Sequence, residues 1–142
     1  MILFCDTSAL VKLYTQEQHS DWTREQAQSA SHCLVSQIAW AEMCAALALK
    51  TRTRQIEGDA VPRILARLQS EWAGYVRLAV DDPLVRDAGE LALAFGLRAY
   101  DSVQLASARR AREAAGDALS FLCFDKQLVN VAQGLGLHAP AP

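Results

Sequence analysis

The stretch that decides the fold is the amino-terminal run Ile2-Leu3-Phe4-Cys5-Asp6, which passes directly into Thr7-Ser8-Ala9-Leu10-Val11-Lys12-Leu13-Tyr14. A short, continuous apolar run is typical of a strand buried on both faces of a sheet, and it places Asp6 at the strand's carboxyl end. Phe121-Leu122-Cys123-Phe124, followed by Asp125, repeats the arrangement. Ligands of open parallel α/β sheets bind outside the carboxyl ends of the strands. We therefore expect Asp6 and Asp125 to lie at one edge.

Short apolar strands alternate with helical patterns along the rest of the chain. Strands are predicted at 2–5, 33–35, 75–80 and 121–124, with a possible edge strand at 137–138. Helices are predicted at 8–14, 20–31, 37–50, 60–73, 82–96, about 101–115 and 126–135. This alternation predicts an α/β fold, a three-layer α/β/α sandwich around a short parallel sheet of four to five strands. The length of 142 residues predicts a single domain over 1–142.

Glu42 is a third acidic candidate because it lies inside a predicted helix rather than at its end. At helical spacing its neighbours on one face are Ile38, Ala45, Ala46 and Leu49. A carboxylate within an apolar stripe needs a partner, since an isolated buried charge is costly. The alternative is a Glu at the edge of the stripe, chosen for its helix propensity.

Asp101 is the fourth candidate, and it opens or lies within the long helix that ends near Ala115. An alternative applies to three of the four residues: Asp is a favoured N-cap, and Asp6, Asp101 and Asp125 each precede a helical pattern. Glu42 has no such explanation.

Composition excludes several classes of protein. The net charge of −2 and the pI near 5.9 give no global basic signature, so any nucleic-acid binding must use a local patch. The four cysteines form no C-x-x-C pair and the three histidines are scattered, which excludes zinc-site spacing and a disulfide framework. No apolar run approaches the roughly 20 residues that span a bilayer. We expect a soluble, cytoplasmic protein without membrane association.

Four carboxylates without His or Cys ligands form a hard oxygen site, which suits Mg²⁺ or Mn²⁺. A divalent cation would keep neighbouring carboxylates ionised, which otherwise raise one another's pKa values. The chemistry that fits such a site is phosphodiester hydrolysis, in which metal activates water and stabilises the leaving oxygen. Asp6, Glu42, Asp101 and Asp125 are therefore the candidate catalytic and metal-binding residues.

Four segments resemble the PIN domain of the VapC toxin family, and together they span nearly the whole chain. They are Asp6 to Tyr14, the Glu42 helix, Arg98-Ala99-Tyr100-Asp101-Ser102-Val103-Gln104-Leu105-Ala106, and Phe124-Asp125-Lys126-Gln127-Leu128. The resemblance implies a metal-dependent endoribonuclease, the toxin of a type II toxin–antitoxin pair, neutralised by a small VapB-like antitoxin. We also expect a homodimer.

The same resemblance carries the metal-binding role most directly to Asp6 and Asp101, then to Glu42 and Asp125. It also implies that Ser8 helps to orient the site near Asp6, although Ser8 is equally suited to first-turn capping. Cys123 departs from the family, whose members often carry Thr or Ser two residues before the final Asp. Because a thiol is a poorer donor than a hydroxyl, support of Asp125 is in question.

Lys12 and Arg98 are the candidate substrate-binding residues, because an acidic site needs nearby positive charge to draw in phosphate. Tyr14, Trp22 or Trp40 are candidates for an antitoxin groove, with burial in the core as the alternative. Two rival functions stay open. One is a catalytically weak nucleic-acid-binding module that acts with a partner, and the other is a phosphatase of the haloacid dehalogenase type, which is disfavoured by Ser8 at a position that calls for Asp.

Overall fold

The computed structural model describes all 142 residues, in four strands and seven α-helices. The strands are β1 (Ile2–Cys5), β2 (His32–Ser36), β3 (Val76–Leu78) and β4 (Leu119–Leu122). The helices are α1 (Thr7–Tyr14), α2 (Ser20–Ser29), α3 (Ala39–Arg52), α4 (Ala60–Glu71), α5 (Asp82–Phe95), α6 (Ala99–Ala115) and α7 (Lys126–Gly134). None of the helices is both long and apolar enough to cross a membrane.

The strands form one parallel sheet in the order β3-β2-β1-β4. The chain moves outward from β1 to β2 and β3 and then returns to place β4 on the other side of β1. The order therefore reverses between β1 and β4, where Phe4 pairs with Phe121 and Cys5 with Leu122. This is the position at which open α/β sheets bind ligands, and Asp6 and Asp125 follow the two strands that form it.

Helices cover both faces of the sheet, because every second strand residue points to the same side. On one side Phe4, Leu34 and Phe121 pack against α5, α6 and α7. On the other side Leu3, Cys5, Val35 and Leu122 pack against the helices of the first half of the chain. The expected α/β/α sandwich with a short parallel sheet is confirmed.

The predicted face of α3 was wrong. The buried stripe consists of Ala39, Met43 and Leu47, at spacings of four residues, whereas Ala45 is exposed and Leu49 is 50% exposed. Glu42 is half-buried at the margin of this stripe, as the alternative placed it. Helical spacing allowed a buried stripe on the face of Ala45 and Leu49 or on the face of Met43. Packing against β1 and β2 buries the face of Met43.

Three smaller differences concern the ends of elements. The last strand is Leu119–Leu122 rather than 121–124, and the possible fifth strand is a single bridge between Ser120 and His138. Helix α5 begins at Asp82 as predicted but ends at Phe95 rather than at residue 96, and Asp81 caps it: Asp81 Oδ1 accepts from Leu84 N at 3.0 Å.

Of the aromatic candidates for a groove, Tyr14 belongs to the core and Trp22 and Trp40 pack against it partly buried. Trp40 meets Trp72 edge to face with ring centroids 5.4 Å apart. The core alternative is confirmed for Tyr14.

Candidate functional site

Asp6 lies at the end of β1 and caps α1. Its Oδ2 accepts hydrogen bonds from Ser8 N at 3.1 Å and from Ser8 Oγ at 2.6 Å, while its Oδ1 accepts none from the protein. The residue is only 5% exposed. The capping alternative is therefore confirmed for Asp6, but capping engages one oxygen and leaves the other free.

Asp125 repeats this geometry after β4. Its Oδ1 accepts from Leu128 N at 3.0 Å and caps α7, and its Oδ2 lies 3.7 Å from Arg98 Nη2. Because β1 and β4 are parallel neighbours, Asp6 and Asp125 lie at the same edge of the sheet, where both strands end. The expectation that they share this edge is confirmed.

Asp101 is not a cap, so that alternative was wrong for this residue. It is the third residue of α6, and Arg98 occupies the N-cap position without a side-chain cap. Arg98 Nε donates to Asp101 Oδ2 at 3.0 Å. The same guanidinium thus contacts both Asp101 and Asp125, which links the start of α6 to the end of β4.

Glu42 is held by two residues that the sequence analysis did not place in the site. Gln104 Nε2 donates to Glu42 Oε1 at 2.7 Å and to Thr7 Oγ1 at 3.1 Å, and Thr7 Oγ1 donates to the same Glu42 oxygen at 3.1 Å. Gln104 is fully buried, and its Oε1 is the only buried side-chain polar atom without a partner. The available signal was the position of Gln104 between Val103 and Leu105 in the predicted helix, since a Gln buried among apolar residues requires partners for its amide.

Burial and mutual repulsion both act on these carboxylates. Burial is the main cause that raises the pKa of Asp6, and the charge of Asp101 adds to it. Burial also raises the pKa of Glu42, with further contributions from Asp6 and Asp101. The charge of Asp101 therefore acts on Asp6, and the charges of Asp6 and Asp101 act on Glu42; a cation bound near them would relieve this repulsion.

Ser8 and Cys123 complete the surroundings of Asp6. Ser8 Oγ donates to Asp6 and accepts from Phe124 N at 2.9 Å, so it ties the ends of β1 and β4 together. The Cys123 sulfur lies 3.6 Å from Asp6 Oδ2 and 3.4 Å from Asp125 N. The thiol therefore contacts the Asp6 carboxylate and the backbone of Asp125 rather than the Asp125 carboxylate, and burial raises its pKa.

The two candidate substrate-binding cations have different partners. The Arg98 side chain is 82% exposed and pairs with two of the carboxylates. Lys12 Nζ donates to Gln18 O at 2.9 Å and sits 4.7 Å from the centre of the Phe124 ring, near Glu17. Lys12 is thus engaged within the protein.

The donor set suits a hard divalent cation, because the four side chains supply carboxylate oxygens only. Asp6 Oδ1, Glu42 Oε2 and Asp101 Oδ1 accept no hydrogen bond from the protein, whereas the other oxygen of each is oriented by a donor. No group of three or more His, Cys, Asp or Glu side chains is arranged to hold a metal ion in this conformation. Metal binding by the four residues stays a prediction.

A sequence profile of the PIN domain matches residues 3–134 of the chain. Ribonuclease VapC46 of Mycobacterium tuberculosis (strain ATCC 25618 / H37Rv) is 33% identical over 141 residues, covering 99% of this chain and 97% of that protein. Ribonuclease VapC45 of M. tuberculosis (strain CDC 1551 / Oshkosh) is 31% identical over 142 residues, covering 99% and 96%.

Among solved structures, FitAcB from Neisseria gonorrhoeae superposes with a TM-score of 0.69 at 20% identity, covering 100% of this chain and 98% of that one. At 20% identity, this structural similarity shows the fold alone.

Proposed function

The chain belongs to the PIN-domain family and, within it, to the VapC proteins, and from this premise we propose that it is a divalent-metal-dependent endoribonuclease that acts as the toxin of a type II toxin–antitoxin pair. Relatives named ribonucleases support the activity. The observation that carries the proposal is that Asp6 and Asp125 follow the two strands that flank the switch point of the sheet, that Arg98 links Asp125 to Asp101, and that one oxygen of Asp6, Glu42, Asp101 and Asp125 is oriented by the protein.

In this proposal Asp6 and Asp101 are the principal metal ligands, with Glu42 and Asp125 completing the set around Mg²⁺ or Mn²⁺. When bound, the cation would acidify the attacking water and stabilise the leaving oxygen of the phosphodiester. The hydrogen bonds from Ser8, Gln104 and Thr7 hold the carboxylates in place beforehand. Fixed ligands lower the cost of ordering the site when the metal arrives.

Arg98 has two roles in succession. Without metal it is the counter-ion of Asp101 and Asp125. Its side chain is exposed, so leaving this pair costs little, about 1 kcal/mol or less. If Asp101 and Asp125 held a metal, the Arg98 guanidinium would be available to an RNA phosphate, which it matches with two parallel hydrogen bonds.

A second candidate is a catalytically weak PIN-like module that binds nucleic acid in complex with a partner. The observation in its favour is that Arg98 already neutralises two of the carboxylates and that no three acidic side chains are arranged around one point. This candidate predicts stoichiometric RNA binding without cleavage products.

The experiment is an RNA cleavage assay with purified protein free of any antitoxin. We expect products with Mg²⁺ or Mn²⁺, none in EDTA, and none from Asp6→Asn. Asp81→Asn is the matched control, because Asp81 also caps a helix but lies on α5, paired with Arg110. Cleavage that continues in EDTA, or full activity of Asp6→Asn, would refute the metal-dependent mechanism.

We also propose a VapB-like antitoxin as the protein partner, a cytoplasmic homodimer as the working form, and one domain over the whole chain. The solved toxin–antitoxin complex from Klebsiella pneumoniae supports the antitoxin partner, with a TM-score of 0.60 at 17% identity and coverage of 88% of this chain and 87% of that one.

Exposed apolar side chains support protein contacts: Leu93 is 91% exposed and Tyr100 is 66% exposed. Light scattering coupled to gel filtration measures the mass, and a monomer at micromolar concentration would refute the dimer.

A further inference from the structure

We infer that the cavity between α1, the start of α2 and α7 is a nucleotide subsite, which holds one unpaired base of the RNA beside the phosphodiester presented to the carboxylates. The inference rests on the proposed ribonuclease function and names where that function reads its substrate. The cavity has a volume of about 510 Å³, within the range of pockets that enclose a small organic ligand.

The cavity adjoins the acidic site through Cys123. This residue lines the cavity, and its sulfur lies 3.6 Å from Asp6 Oδ2. Phe124, the next residue, also lines the cavity and precedes Asp125. A nucleotide in the cavity would therefore be a direct neighbour of one whose phosphate reaches the carboxylates.

An aromatic platform is built into the wall of the cavity. The rings of His19 and Phe124 lie 5.7 Å apart at an interplanar angle of 9°, and Trp22 meets Phe124 edge-on at 6.0 Å. His19 is exposed. Stacking on such rings is how proteins hold unpaired bases, because every base has a π face.

The backbone at His19 is in the left-handed conformation. His19 has φ 68°, and Arg54 is the only other non-glycine residue with a positive φ. This left-handed conformation is unfavourable for a residue with a side chain. Glycine adopts this conformation without cost, so the ring can be removed by His19→Gly without straining the backbone.

The charge of the lining also suits a nucleic acid. No Asp or Glu side chain lines the cavity, which Ala141 and Pro142 of the carboxyl-terminal segment also line. Lys126 lines it, and its amino group has no ion-pair partner in the structure. Lys12 donates to Gln18 O and covers the Phe124 ring, so it supports the platform, while its own charge faces Glu17 at 3.9 Å.

Gln18 and Asn130 supply exposed side-chain amides to the same cavity. Amides donate and accept hydrogen bonds together, as the edges of unstacked bases do. The ring platform, the free ammonium group and the amides thus match the three parts of a nucleotide: base face, phosphate and base edge.

The test measures binding of 5′-fluorescein-labelled hexauridylate and hexaadenylate by fluorescence anisotropy in EDTA, so that cleavage does not interfere. His19→Gly removes the ring and relieves the backbone strain, which protects against failure to fold. We expect it to weaken binding of at least one oligonucleotide by about 10-fold, as loss of one stacked base does. Arg54→Gly is the matched control, because it makes the same change at the other left-handed position and should leave binding unchanged.

Two further variants separate stacking from charge. Phe124→Leu keeps apolar volume without a ring and should match His19→Gly. Lys126→Gln should lower the slope of log affinity against log salt by about 0.7, the value for one phosphate contact to a single strand. Arg63→Gln, another exposed cation without a partner, should leave the slope as in wild type.

The outcomes distinguish the subsite from the ribonuclease. If the wild type cleaves RNA with Mg²⁺ but His19→Gly and Phe124→Leu bind like Arg54→Gly, the subsite is refuted and the ribonuclease stands. If the wild type never cleaves but these variants lose binding, the subsite stands and the nuclease falls. The same variants can also be co-expressed with the antitoxin. If His19→Gly and Phe124→Leu no longer bind the antitoxin but still bind RNA like wild type, the cavity is a protein-binding site and the inference is overturned.

Discussion

Asp6 and Asp81 occupy the same kind of position with opposite electrostatic consequences. Each follows an extended segment and caps a helix, α1 for Asp6 and α5 for Asp81. Arg110 contacts both oxygens of Asp81 at 3.0 Å, and this pairing lowers the pKa of Asp81. Asp6 is buried without a cation, and burial raises its pKa. One cap is complete within the protein, whereas the other leaves a charge that a ligand has to balance.

The comparison shows how a structural element becomes a site. Asn would cap either helix about as well as Asp does. A carboxylate that is both buried and unpaired costs free energy, and proteins retain such groups mainly where function requires them. The difference between Asp6 and Asp81 can therefore be tested by making the same substitution at both positions.

The largest effect is expected on activity. Asp6→Asn should lower RNA cleavage by about 100-fold or more, because the metal supplies several kcal/mol of transition-state stabilisation, whereas Asp81→Asn should cleave like wild type. In EDTA, Asp81→Asn should be the less stable of the two variants. It loses its ion pair with Arg110, whereas Asp6→Asn loses only a buried charge that has no partner. Cleavage rates and urea unfolding check both. Equal losses of activity in the two variants would remove the distinction.

Gln104→Leu should lower cleavage or Mn²⁺ affinity by about 10- to 100-fold, the usual cost of removing a group that orients a metal ligand. The free energy of unfolding should change by only about 1 kcal/mol, because the lost hydrogen bonds are offset by removal of the unpaired Oε1. Ser107→Ala, in the same helix and bonded only to Val103 O, is the control. Activity that simply follows stability in both variants would show that Gln104 has a structural role alone.

The pH dependence of stability should differ in sign between the two caps. In EDTA, the raised pKa of Asp6 means that the folded state binds more protons than the unfolded state, so this contribution to stability falls as pH rises above about 4. The pKa of Asp81 is lowered in the folded state, so the charged side chain stabilises the fold above about pH 4. This stabilisation is lost as the pH falls through the folded-state pKa. Urea midpoints of wild type, Asp6→Asn and Asp81→Asn between about pH 2 and pH 7 measure both differences, the one from Asp81 below about pH 4 and the one from Asp6 above it. Parallel curves for all three would contradict this account.

The smallest effect concerns the two arginines. Arg98→Ala should raise Mn²⁺ affinity by no more than about 5-fold, because an exposed ion pair contributes about 1 kcal/mol or less. Arg110→Ala should leave Mn²⁺ affinity unchanged, since it pairs with Asp81 alone. Calorimetric titration measures both. A fall in affinity for Arg98→Ala would mean that Arg98 orients the ligands rather than competing with the metal.

Local chemistry made much of this molecule predictable. The apolar runs before Asp6 and Asp125 predicted β1 and β4, the two neighbouring strands beside the switch point, and the edge at which they end, because strand burial and parallel pairing follow from composition. The face of α3 was not predictable, since helical spacing allowed two stripes and contacts with a distant strand chose between them. The bonds from Thr7 and Gln104 to Glu42 join residues 35 and 62 positions apart, respectively, so no local pattern contains them.

The most direct test of the central claim is a Mn²⁺ titration followed by electron paramagnetic resonance, in which bound ions lose the signal of the free ion. Wild type and Asp81→Asn should bind Mn²⁺ alike, and Asp6→Asn should bind it at least about 10-fold more weakly. If wild type binds no Mn²⁺, or if the two Asn variants bind it equally, the buried, unpaired carboxylate of Asp6 is not part of a metal site.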